Sequence, residues 1–251
     1  MSVIVDINHE LGNLSQYNVT SLDGGHLSVQ PAAALKGNYG ISCLIADTNI
    51  MYAQKNGLIN TSNKARVRLY LDPNSIALPL NTEMGCISIA NSLNDRLAFA
   101  SVRNSGGNYA VSVALYNDAG TAFYSGNTAI ADGPHYIEFY LQRATTNVSV
   151  DGNLQWWIDG VSQTGVTGID NYDRMANMDR VSVGAGIASG VPVGAAGTLY
   201  LDELVVNDDG TLIGPVSEWN GVTFTVHALA RTALDIHAKS VSNLVIHGGV
   251  P

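Results

Sequence analysis

Charge is what this chain is shortest of. Only 13% of its 251 residues are Asp, Glu, Lys or Arg, about half the share of roughly 25% usual in globular domains. Its polar surface must therefore be built largely from Ser, Thr, Asn and Gly. The longest basic run is Arg66-Val67-Arg68, and the formal net charge is −9. Phosphate binding needs clustered Lys and Arg, so no nucleic-acid partner is expected. No apolar run approaches the roughly 18 residues of a spanning helix, so membrane insertion is not expected either. Two cysteines, Cys43 and Cys86, are too few for a disulfide-stapled scaffold. Each lies in an apparent strand, as a buried thiol or as half of one bridge across a sandwich. The start, Met1-Ser2-Val3-Ile4-Val5-Asp6, lacks both the positive end and the apolar core of a secretory signal, so export by the usual route is not expected.

Glutamate is scarce as well: Glu10, Glu83, Glu138, Glu203 and Glu218 are all there are. Glycosidic hydrolysis usually needs two carboxylates flanking one bond, and no two acids alternate along a strand. Asp202 and Glu203 are neighbours, which strand geometry sends to opposite faces. There is no Gly-x-Ser-x-Gly elbow, no His-Glu-x-x-His helix and no Gly-rich phosphate loop. His135 and Tyr136 have the chemistry of a lyase base and acid, but adjacent strand side chains diverge. These absences lead us to expect a protein that is not an enzyme.

Present instead is an all-β grammar. Hydrophobic residues make up 46%, enough for a sizeable core. Short runs rich in β-branched and aromatic residues, bounded by Gly, Asn, Asp or Pro, recur every 10 to 15 residues. After an opening strand from Val3 come runs near Leu27 to Val29, Tyr39 to Ile45, Cys86 to Ala90, Leu97 to Arg103, Tyr109 to Tyr116 and Ala122 to Tyr124. Lys64 to Leu71 alternates polar with apolar, as a strand with one wet face does. The clearest runs are Pro134 to Leu141, Leu154 to Gly160 and Gly197 to Val206. Gly214-Pro215 marks a boundary, which predicts a body over 1–214 and a neutral C-terminal extension over 215–251. That extension places His227, His237 and His247 ten residues apart. A small strand repeat, a metal site and an accidental spacing on a short helix all remain open readings.

Four residues stand out as site candidates. Trp156-Trp157 can stack on a sugar, and strand geometry turns one indole inward and the other outward. Asp202, polar within an apolar strand, suits a structural calcium ion, which Glu10 would complete if the first and last strands pair. The alternative is a solvated acid at a strand edge, with no cofactor at all.

At these residues the chain resembles a laminin-G-like member of the concanavalin A-like lectin/glucanase superfamily. Pro134-His135-Tyr136 through Leu141, Leu154 through Asp159-Gly160, and Gly197 through Val206 carry the resemblance, which covers roughly residues 3 to 213. It implies an antiparallel two-sheet jelly-roll sandwich, a sugar- or protein-binding face and sometimes a calcium ion, while the glucanase Glu-x-Asp-x-x-Glu strand is absent.

A lectin-like body without an export signal points to a structural or adhesive virion protein of a bacteriophage, a capsid decoration or tail-associated protein made in the host cytosol. The expected partners are other virion proteins, reached through 215–251, together with surface glycans and further copies of the chain in a homo-oligomer. The alternatives are an extracellular carbohydrate-binding module or lectin, and a polysaccharide hydrolase or lyase.

Overall fold

A computed structural model describes residues 3–60 and 62–216. The described residues form one unit ending at Val216. Ser217–Pro251, which holds the three spaced histidines and nearly all of the expected extension, lies outside them.

Sixteen strands follow one another: β1 (Val3–Ile7), β2 (Val19–Ser21), β3 (Leu27–Gln30), β4 (Gly40–Ile45), β5 (Met51–Asn60), β6 (Lys64–Asp72), β7 (Glu83–Ala90) and β8 (Arg96–Ser105), then β9 (Asn108–Tyr116), β10 (Ala122–Tyr124), β11 (Thr128–Ala129), β12 (His135–Gln142), β13 (Gly152–Ile158), β14 (Val161–Ile169), β15 (Met178–Ala185) and β16 (Gly197–Asn207). No α-helix occurs among the described residues, only short 3-10 turns at Asp23–Gly25 and Pro31–Ala33. The fold is the expected all-β, two-sheet antiparallel sandwich. The first sheet runs β14-β13-β12-β6-β16-β4-β3 with β1 beside β16, and the second runs β10-β9-β8-β7-β15-β5-β2 with β11 beside β9.

Period-two alternation explains how each sheet finds its partner. Val67, Leu69 and Leu71 of β6, Ile137, Phe139 and Leu141 of β12, and Leu154 and Trp156 of β13 point between the layers. Ala100 and Val102 of β8, Val111 and Val113 of β9, and Val181 and Val183 of β15 meet them from the second sheet. Burying each such side chain contributes roughly 1.5–3 kcal/mol. Cys43 of β4 and Cys86 of β7 sit in this interior as free thiols, not as a bridge.

Two expectations are corrected. The polar face of β6 is not wet: Arg66 and Arg68 are buried, because residues 210–216 cross it. Arg66 Nε donates to the Gly210 carbonyl and Arg68 Nη1 to that of Gly214, both at 3.0 Å. Asp202 and Glu203 also do not simply alternate. The β16–β6 register shifts between Asp202 and Val205, and Glu203 takes a left-handed φ of 55°. This bulge lets Leu201 and Leu204 both reach the core while Glu203 turns to Arg68, 3.2 Å away.

Candidate functional site

Across the outer face of the second sheet, register lines up Gln54 of β5, Ser182 of β15, Ser88 of β7 and Phe99 of β8. Small side chains at Ser88, Ala90 and Ser182 leave room above the strands, and a groove of about 640 Å³ opens there. That volume falls within the roughly 300–1,000 Å³ of ligand clefts. Ser182 Oγ donates to Gln54 Oε1 at 2.9 Å, and Gln54 Nε2 donates to Asn56 Oδ1 at 2.6 Å, so the floor amide is held in place. Tyr52 and Tyr116 stand at the sides.

Three arginines line this groove: Arg96, Arg174 and Arg180. The chain has only 12 Lys and Arg against 21 Asp and Glu, so a quarter of its cations gather here. Each guanidinium is positioned mainly by neutral acceptors. Arg180 donates to Asn94 Oδ1 at 3.1 Å and to the Ser92 carbonyl at 2.9 Å. Arg174 Nε donates to the Arg96 carbonyl at 2.7 Å, and Arg96 Nη1 reaches the Ala188 carbonyl at 3.3 Å. The nearest carboxylates stand further off, Asp95 at 3.8 Å from Arg174 and Asp179 at 3.6 Å from Arg180. Asp118 fixes the loop that carries Arg174 by accepting the backbone N–H groups of Asp173 and Arg174 at 3.1 and 2.8 Å. The Arg174 guanidinium then lies 5.6 Å from the centroid of the Tyr116 ring. Carbonyls and amides orient these cations, and Asp95 and Asp179 pair with Arg174 and Arg180 only through long contacts, which leaves the groove able to attract an anion.

The residues singled out from sequence lie elsewhere. Trp156 is a core residue, 1% exposed, whose indole N–H donates to the Thr164 carbonyl at 2.8 Å. Trp157 faces outward from the first sheet, where the Arg66 guanidinium covers its ring at 4.4 Å. His135 and Tyr136 diverge as expected. His135 Nδ1 meets Asp159 Oδ2 at 2.6 Å beside a second cavity of about 350 Å³, while Tyr136 packs on Tyr70 with ring centroids 5.5 Å apart.

β1 does pair with β16, which brings Asp202 to the opening turn, but the donors there do not suit calcium. Asp202 accepts N–H groups from Leu35, Lys36 and Glu203, and His9 Nδ1 at 2.9 Å. A carboxylate has about four lone-pair sites, so these four donors use them all. Glu10 is likewise engaged by Asn38 N, Asn38 Nδ2 and Tyr39 N. Burial pushes its carboxyl up, yet those bonds outweigh it and hold the group below its ordinary value. Asp23, His26 and Asp47 do lie at metal-ligand spacing, but their atoms are joined to one another through Asn49 and His26.

No signal of composition or spacing marked the groove. Its arginines come from the start of β8, a loop and β15, and the pairing of β7 with both β8 and β15 brings Arg96 and Arg180 together.

No family model matches the sequence, and no curated protein matches it. Solved structures do. An endo-β-1,4-glucuronan lyase from the fungus Trichoderma reesei is 11% identical with a TM-score of 0.57, covering 81% of this chain and 94% of its own. A conserved carbohydrate esterase from the Shiga toxin-encoding bacteriophage phi24B is 17% identical with a TM-score of 0.55, covering 82% and 99%. The cellulose induced protein Cip1 is 13% identical with a TM-score of 0.58, covering 84% and 99%. At such identities the likeness is one of fold. It nevertheless overturns the expectation that the chain is not an enzyme, because a lyase and an esterase share this sandwich over nearly their whole length. That expectation leaned on the lack of paired carboxylates, and elimination chemistry needs none.

Proposed function

We propose that the protein is a polysaccharide-active enzyme that holds an acidic glycan in the arginine-lined groove and cleaves it by β-elimination. The gathering of Arg96, Arg174 and Arg180 beside Tyr116, on a chain of net charge −9, carries this reading. The fold likeness to a glucuronan lyase and a carbohydrate esterase supports a carbohydrate ligand. It favours the carbohydrate-directed alternatives over the virion role expected from the sequence. Membership of the concanavalin A-like superfamily belongs to the same proposal, supported by the two-sheet topology.

Hydrolysis fits the groove poorly, because Asp95 is its lone lining carboxylate among the described residues and glycosidases ordinarily use two. Elimination asks for different parts. A cation balances the uronate carboxylate, a base takes the hydrogen from the adjacent C5, the C4–O bond breaks as the C4–C5 double bond forms, and the leaving oxygen takes up a proton. Arg174 and Arg180 supply the cation, worth most in a groove that displaces water. Tyr116, next to Arg174, is the proton-transfer residue.

The test is to incubate the full chain with polyuronates and, as controls, with neutral glucans. The expected products carry an ultraviolet-absorbing double bond and are one water lighter than hydrolytic products, and the Arg174→Ala variant forms far less of them. Products of hydrolytic mass would overturn the elimination step. Binding without any new chain ends would leave a lectin.

A further inference from the structure

Beyond Tyr116 the same face continues into an aromatic run. The buried Phe99 ring lies 6.1 Å from Tyr116, tilted at 44°, and 5.8 Å from Tyr124, edge-on at 88°. Tyr124 itself is 48% exposed. Its hydroxyl donates to Glu83 Oε1 at 3.1 Å. Glu83 is fixed in turn, since Oε2 accepts from Ser101 Oγ and from Arg103 Nη1, each at 3.1 Å. Ser112 backs Ser101 at 2.9 Å. The ring of Tyr124 is thus tied at its hydroxyl and propped at its edge, yet open to solvent. An exposed aromatic that has already lost its rotamer freedom costs little further entropy when a ligand packs on it. Trp157 is differently placed, with a guanidinium already over its ring.

The charge at the two ends of this face also differs. The end with Tyr116 carries the three arginines, whereas at the end with Tyr124 the Glu83 carboxylate and the Arg103 guanidinium pair with each other at 3.1 Å. Burial first, and then the Glu83 charge, pushes the Tyr124 phenol up to about 12, which keeps it a neutral donor. A carboxylated sugar at this end would find no unpaired cation to balance it.

We propose that Tyr124 is the stacking platform of a second subsite, which takes an uncharged sugar ring next to the groove that takes a charged one. The inference rests on the reading of the groove as a glycan site and deepens it. The preferred ligand is a heteropolysaccharide in which uronates and neutral sugars are mixed, not a homopolymer of uronates. Glu83 acts in two ways: it positions Tyr124, and it occupies Arg103, which would otherwise attract a second carboxylate.

Calorimetric titration of the full chain with two oligosaccharides of equal length tests this, one of uronates alone and one alternating uronate with neutral hexose. The alternating ligand should bind more tightly, and Tyr124→Ala should weaken it about tenfold, the size of one stacking contact. Glu83→Gln removes the charge that balances Arg103 while leaving one acceptor oxygen in place, and should strengthen binding of the all-uronate ligand, which a purely structural role would not do. Arg180→Ala should weaken both ligands. Equal affinity of the wild type for the two ligands, unchanged by Tyr124→Ala and Glu83→Gln while Arg180→Ala abolishes binding, would overturn the subsite and leave the groove standing. Binding indifferent to Arg180→Ala, or none at all, would overturn the groove reading itself.

Discussion

The two outer faces of this sandwich use arginine in opposite ways. On the first sheet, Arg66 and Arg68 are paired with Glu138 at 2.8 Å and Glu203 at 3.2 Å, and residues 210–216 lie over them. Glu138 also accepts the N–H groups of Ile213 and Gly214, each at 2.9 Å. On the second sheet, Arg96, Arg174 and Arg180 rest on carbonyls and a side-chain amide around an open groove. Charge that is paired at contact distance and covered is engaged within the fold, and charge that is oriented by neutral groups and only loosely paired is available to a ligand. The same residue type in the same sandwich is structural on one face and a candidate for function on the other.

Glu138→Ala should show the largest contrast. It strands Arg66 under cover and leaves two backbone donors unpaired, so a loss of about 3–5 kcal/mol is expected in urea unfolding, with little change in glycan affinity of the protein that remains folded. A neutral result there would mean that the covered face is not held by its ion pairs. Arg174→Ala and Arg180→Ala should do the reverse. Affinity or kcat/KM for an acidic glycan falls by about 10- to 100-fold, while the unfolding midpoint scarcely moves.

Glu203→Gln sharpens the first face through pH. Burial, and then the charge of Asp202, push the Glu203 carboxyl up to about 7, against an unperturbed 4.5. An acid raised on folding favours the folded state while it is protonated, and that advantage is lost as pH climbs from the ordinary carboxylate range through about 7. The glutamine variant should therefore match the wild type under acid conditions and gain on it, by on the order of 1 kcal/mol, by pH 8. Thermal unfolding across pH 4 to 8 measures this, and a constant difference would show that Glu203 is not raised. The smallest effect expected is that of Trp157→Ala on glycan affinity, which should be none, since Arg66 already occupies its ring. A clear loss of binding would move the ligand to the first sheet.

The strands that were legible in the sequence and those that were not divide along the same line. β6, β12 and β13 alternate because one side of each meets the core and the other meets a packed polar layer. They could be read from period two alone, as could the opposite facing of Trp156 and Trp157. β5 and β15 escaped notice: Met51–Asn60 carries Lys55, Asn56 and Gly57 in its interior, and Met178–Ala185 begins with Asp179 and Arg180. Those polar and small residues weaken the β signal, and of them Arg180 lines the groove. The site was hidden also because residues about 80 positions apart, such as Arg96 and Arg174, meet only after the second sheet has formed. The polar residues that did stand out, Asp202 and Glu10, belong instead to the closure of β1 on β16, where His9 and the N–H groups of Leu35 and Lys36 fill the carboxylate.

Cys43 and Cys86 occupy opposite layers, one on β4 and one on β7, and both are shut away from water. Burial pushes both thiols well above their ordinary value, Cys86 to about 12, and the thiolate is the reactive form. An alkylating reagent can therefore reach them only when the layers part. Their modification rate is a clock for that separation, already installed in each half of the molecule without any engineered label.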